Sequence, residues 1–231
     1  MPSKNKLAKA RQRNLSKAFK HASYYIKYIL QFAFSILINV GTHSKVSKIF
    51  LSCYGIESID TDKIAREVTR RGEGCLEELT QYFSDIILDG DGELDRKKLA
   101  DIAFADKNRL EILNKITHGH ILNACREKIA DMAEEGKNAV IIDAPLLFES
   151  KFSKHCHVII SVTAEINLRL ERIIKRDNLS LEQAVRRIES QKDDDFFLRN
   201  SSYVIYNNGS LRDVERQVAD IYTSMLKYDL I

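Results

Sequence analysis

The run "NAVIIDAP", residues 138–145, limits the fold more than any other stretch of the chain. Four consecutive residues, Ala139 to Ile142, carry no polar atom on either side of the strand period, so a strand here is apolar on both faces. Such a strand belongs inside a parallel sheet covered on both sides. "HCHVIISV" repeats the pattern, and "IESI" and "YVIY" are shorter versions. Between them lie stretches of helical period: "TDKIAREVTRR", "CLEELTQYFSDIIL" up to "DGDG", "DRKKLADIAF", and "DKNRLEILNKITHGHILNACREKIADMAEEG" ending at Gly136. "TAEINLRLERIIKRD" reads as a helix, "SLEQAVRRIESQ" opens on a Ser180–Gln183 capping box, and "SLRDVERQVADIYTSMLKY" closes the chain as an amphipathic helix. Strands alternating with helices predict an α/β fold, a parallel sheet with helices on both faces and right-handed crossovers. Ligands of such folds bind at the carboxyl ends of the strands.

Three segments fall at those ends. The first is "NVGTHSK", residues 39–45, where an apolar run ends and a helical pattern begins. The second is Asp60-Thr61-Asp62 after "IESI". Two carboxylates there can deprotonate a hydroxyl or hold a metal's shell; capping of the next helix by Asp60 or Thr61 accounts for the same residues. The third is Asp143, after the buried strand, a position suited to the water shell of a phosphate-bound Mg²⁺.

Arg169, Arg172 and Arg176 recur at helical spacing, with Arg186 and Arg187 in the next helix. Guanidinium forks suit phosphate clamping, and Glu165, Glu171, Glu182 and Glu189 are near enough in sequence to pair them on a solvated face. His118 sits within a helix beside Gly119, and Asn207-Asn208-Gly209 is a turn sequence.

Charge is distributed unevenly. Ten lysines or arginines and no acid precede Glu57, whereas the remainder carries 26 basic and 33 acidic residues. Residues 24–40 are apolar apart from Lys27, Gln31, Ser35 and Asn39, a four-residue recurrence that places one polar stripe on a helix. The run is short for a membrane span and lacks an A-x-A-like cleavage site. Residues 34–40 read as a buried first strand, and residues 1–33 as a basic-apolar leader. Membrane contact through residues 1–40 is the lesser reading. Four scattered cysteines without a C-x-x-C pair suit a reducing compartment.

Residues 46–228 together resemble the dephospho-CoA kinase family. "VSKIF…GIESIDTDKIAREV", "GELDRKKLADIAFADKNRLEILNKITHGHI", "VIIDAPLLFES", "LRLERIIKRDNLSLEQAVRRIESQ" and "YVIYNNGSLRDVERQV" occur in that family's order and spacing. The resemblance implies a P-loop kinase core over residues 34–231, a helical CoA-binding insertion near residues 63–120 and a lid near 172–195. It implies a cytoplasmic enzyme that phosphorylates the 3′-hydroxyl of dephospho-CoA with ATP and Mg²⁺, without nucleic acid. On that likeness Asp60 is the catalytic base, and Asp62, Arg66 and His118 lie near the acceptor. Asp143 and Ser44 are placed at the metal, and Lys45 and Asp143 join Asp60 in catalysis. Gly41, Thr42, His43, Ser44 and Lys45 are placed at ATP, with Arg172, Arg176 and Arg187 from the lid and Asn207 on the adenine side.

The departures concentrate in the loop. The family has G-x-x-G-x-G-K-S/T before "VSKIF", where glycines let backbone N–H groups converge on the β-phosphate. Here, aligned on "VSKIF", His43 stands in the lysine's place and Lys45 in that of the hydroxyl residue; aligned on "NVG", the loop is one residue short. Gly119 replaces a proline and Ser202 an aspartate. Two expectations follow: a kinase relative with impaired ATP turnover that still binds CoA-like ligands, or a reading frame that rejoins the family's near Val46.

Overall fold

The computed structural model describes residues 33–38 and Lys45 by their backbone, and residues 46–231 apart from Leu146, Glu149, Lys151, Asp229 and Leu230. The leader and residues 39–44 lie outside these described residues. The sheet has five parallel strands: β1 (Ala33–Ile38), β2 (Glu57–Asp60), β3 (Val140–Asp143), β4 (Val158–Thr163) and β5 (Tyr203–Tyr206). Their order is β2-β3-β1-β4-β5. The expected first strand is therefore the central one, with Ile36 opposite Asp143 of β3 and Ile160 of β4.

The apolar character of both faces of β3 has a direct structural use. Ile141 points to one side, where it packs with α1 (Lys45–Tyr54) and α9 (Leu211–Lys227) through Phe50, Val214 and Val218. Val140 and Ile142 point to the other, against α2 (Thr61–Val68), α5 (Lys107–Glu134) and α8 (Asp194–Asn200) through Ile64, Ile129 and Phe197. Alternation at period two thus feeds two cores from one strand.

A third core belongs to the helices between β2 and β3. Leu79 and Phe83 of α3 (Gly74–Phe83), Leu99 and Ala103 of α4 (Arg96–Phe104) and Ile116 of α5 enclose one another without a strand. The sequence predicts helix through residue 88, but α3 stops at Phe83. Ser84 takes φ 65°, and a 3-10 turn, Asp85–Ile87, leads into a hairpin closed by a Leu88–Leu94 bridge around "DGDG". Burying Ile87 in this core outweighs the helical pattern of its neighbours. A fourth, small core joins α6 (Ile166–Asp177) to α7 (Leu181–Glu189) through Ile173 and Ala184.

Side-chain caps set the helix starts. Asp60, Asp95 and Asp106 each accept two backbone N–H groups of α2, α4 and α5. The expected Ser180–Gln183 box is present, and a second, Ser210–Asp213, opens α9. Ser210→Ala is expected to cost about 1 kcal/mol, read from a urea midpoint at unchanged slope. α5 ends where Gly136 turns at φ 82°. All four cysteines are free; burial pushes the Cys75 thiol up to about 11 and that of Cys125 to about 12, so both stay protonated and inert.

Candidate active site

β2 and β3 pair in register so that Asp60 lies opposite Asp143 at the carboxyl end of the sheet. The parallel ladder, not any local preference, brings together residues 83 positions apart. Asp60 spends Oδ1 on the backbone N–H groups of Asp62 and Lys63, at 2.9 and 3.1 Å. The capping reading of Asp60 is therefore realised, and its second carboxylate oxygen takes no part in the cap. Thr61 donates its hydroxyl to the carbonyl of Asp143 at 3.0 Å, which fastens the start of α2 to the end of β3.

Asp143 receives a hydrogen bond from the Ser47 hydroxyl at 3.0 Å. Burial pushes its carboxyl up to about 6, and the nearby Asp60 and Asp62 push in the same direction; the Ser47 bond opposes them. Ser47 is 4% exposed on the buried face of α1, between Val46 and Ile49. It was missed in the sequence, although a hydroxyl on an otherwise apolar helix face must find a partner, which is a usable signal. Lys45 opens α1. Gly41, Thr42, His43 and Ser44 lie outside the described residues.

A cavity of about 350 Å³ opens beside these strand tips, within the usual range for a small-molecule site. Thr61, Asp62 and Pro145, which follow the ends of β2 and β3, line it with His118, Leu79, Leu99 and Phe104. Asp62 and His118 thus share one space, but Arg66 is not among the lining residues. Phe104 is 72% exposed although it borders the cavity, which makes it an apolar rim.

The arginines divide by role. Arg169 is 6% exposed and forks onto both oxygens of Asp194 at 3.0 and 2.9 Å, so it anchors α6 to α8. Arg172 donates to the carbonyl of Asn207 at 2.9 Å, beyond the end of β5. Arg176 forks onto Asp177 at 2.7 and 2.8 Å, and Arg187 reaches the same carboxylate at 2.7 Å. Asp177 therefore gathers two of the three expected lid arginines, a role that sequence reading did not assign. Of the four glutamates weighed as partners, Glu182 pairs, with Arg186.

Among the described residues no cluster of three or more His, Cys, Asp or Glu could hold a metal alone. A phosphate-bound Mg²⁺ needs only one or two protein carboxylates. Asp143, crowded by two further carboxylates and compensated by one hydroxyl, has the excess negative charge that such a cation neutralises. No helix among the described residues is long and apolar enough to cross a membrane.

The five-stranded parallel sheet, with a carboxylate pair at its tips and an arginine-bearing helical hairpin, has the α/β architecture of P-loop kinases. The chain belongs to the dephospho-CoA kinase family, whose model matches residues 38–213. The dephospho-CoA kinase of Listeria monocytogenes serotype 4b is 39% identical over 173 residues, 75% of this chain and 86% of that protein. That of Fusobacterium nucleatum is 38% identical over 176 residues, 76% of this chain and 88% of the relative. Among solved structures, one described as TT1252 from Thermus thermophilus matches with TM-score 0.71 and 26% identity, over 84% of this chain and 97% of that one. The dephospho-CoA kinase from Campylobacter jejuni matches with TM-score 0.61 and 28% identity, over 85% and 98%. The family transfers phosphate to dephospho-CoA, the final step of coenzyme A biosynthesis, and nothing in these comparisons supports the impaired alternative.

Proposed function

We propose that this chain transfers the γ-phosphoryl group of ATP to the 3′-hydroxyl of the ribose of dephospho-CoA. The observation that carries this reading is the in-register meeting of Asp60 and Asp143 beside a cavity lined by Asp62 and His118. The acceptor lies in that cavity with its ribose beside the strand tips. Asp60, held in place by its cap, accepts the hydroxyl proton on Oδ2 as the 3′-oxygen attacks the γ-phosphorus in line, breaking its bond to the β–γ bridging oxygen so that ADP leaves. Asp62 and His118 orient the ribose. Asp143, steadied by Ser47, would hold Mg²⁺, which would supply neutralisation of the charge gathering on the transferred group. Arg172, Arg176 and Arg187 close over the triphosphate and exclude water, and Asn207 borders the adenine. The helices between β2 and β3 serve as the acceptor-binding insertion and α6–α7 as the lid.

The test is ADP release by the chain as written, with and without dephospho-CoA, beside a version whose residues 39–45 are replaced by a glycine-rich phosphate loop. Acceptor-dependent ADP release, rising at least tenfold in the loop replacement, is the expected result. Absence of acceptor-dependent turnover in both proteins, together with no binding of dephospho-CoA, overturns the reading.

A further inference from the structure

Among the described residues that line the acceptor cavity there is one permanent cation, Arg96, and nothing described above uses it. Arg96 is the first residue of α4, in the sequence Asp95-Arg96-Lys97-Lys98. Three consecutive cations at the positive end of a helix oppose its dipole, and the acid that offsets them there is the N-cap, Asp95. Asp95 accepts from the backbone of Lys97 and Lys98 and pairs with the Lys98 ammonium at 3.4 Å. Arg96 forms no ion pair among the described residues. Its guanidinium instead donates to the Thr69 hydroxyl at 2.7 Å, and Thr69 is 4% exposed and passes its own proton to the carbonyl of Ala65 at 2.7 Å. The fork is thus aimed at the cavity by a buried, neutral anchor at the end of α2.

A cation with no ion pair among the described residues, held at a largely apolar cavity by a buried hydroxyl, answers an anionic group in the ligand. Arg96 is exposed, and its planar fork matches phosphate oxygens with two parallel N–H donors. We infer that Arg96 is the specificity residue for a diphosphate group in the acceptor, gripping the diphosphate bridge between adenosine and pantetheine while the ribose lies at the strand tips. This rests on the proposed function: it places the phosphates of the acceptor at Arg96 and leaves those of ATP to the lid.

Calorimetry with dephospho-CoA, and displacement of it by adenosine, which lacks the diphosphate, separates the two readings. In the full chain, Arg96→Gln is expected to weaken dephospho-CoA binding about 10- to 100-fold and adenosine binding less than twofold. Arg96→Lys restores part of the affinity, because the charge remains while the fork is lost. Thr69→Val, which removes only the anchor, weakens dephospho-CoA by a smaller factor. Equal losses for both ligands, or no loss for either, overturn the inference, since Arg96 then serves only the packing of α4. Failure of the unaltered chain to bind dephospho-CoA is a different result and defeats the functional reading itself.

Discussion

An Asp143→Asn variant is expected to lose phosphoryl transfer by about 10²- to 10³-fold and, above pH 6, to melt at a higher temperature than the parent. The two effects have one cause. In the folded chain burial and the neighbouring Asp60 and Asp62 lift the Asp143 carboxyl from 3.8 to about 6. The folded state then binds this proton more tightly than the unfolded chain, so the contribution to stability is complete below about pH 4 and disappears as pH rises through 6. Near pH 8 the ionised carboxylate is a standing cost, on the order of 1–3 kcal/mol for about two pH units. Asparagine keeps an acceptor for Ser47 and removes the charge, so the melting temperature should rise by roughly 3–9 °C at pH 8 and change little at pH 4. Turnover needs the charge. The parent's rate should therefore fall as pH drops through about 6, and the variant should show no such limb. Melting curves at pH 4 and 8 beside ADP release across pH 5–8 check both halves; a variant less stable at pH 8 would contradict the electrostatic account.

Asp194→Ala is expected to produce the largest loss of stability, about 2–4 kcal/mol. It strands Arg169, which is 6% exposed and whose Nε already has no hydrogen-bond partner among the described residues. Asp194 is itself 44% exposed, which keeps the figure below that for a fully buried pair. Arg169→Met, which removes the charge and leaves an apolar stem, should cost less than Asp194→Ala. Breaking Glu182–Arg186, exposed on both sides, should cost under about 0.5 kcal/mol. Urea midpoints of the three variants give this ranking directly. Equal losses for Asp194→Ala and Arg169→Met would show that the fork is replaceable contact area and not a paired buried charge.

Arg169 also shows where the sequence stopped being informative. Arg169, Arg172 and Arg176 share a helical spacing, and spacing cannot distinguish a phosphate clamp from a buried anchor. The distinction depends on which element covers each position, and Asp194, 25 residues away, covers the first. Asp177 was equally illegible, since adjacency to Arg176 is visible in the sequence but the arrival of Arg187 is set by the turn between α6 and α7. At Ser84 a tertiary demand, the burial of Ile87, overrode a helical pattern of purely local origin.

The sequence by itself determined the strand–helix alternation, the parallel sheet, the Ser180–Gln183 cap and the family, because each is written in local periodicity, caps or contiguous motifs. Only the tertiary structure decided that β1 is central, that Asp60 faces Asp143, that Ser47 meets Asp143 and that Arg96 lines the cavity beside the strand tips. Those facts follow from strand order and packing between distant segments, and no short-range pattern encodes which distant segment will arrive.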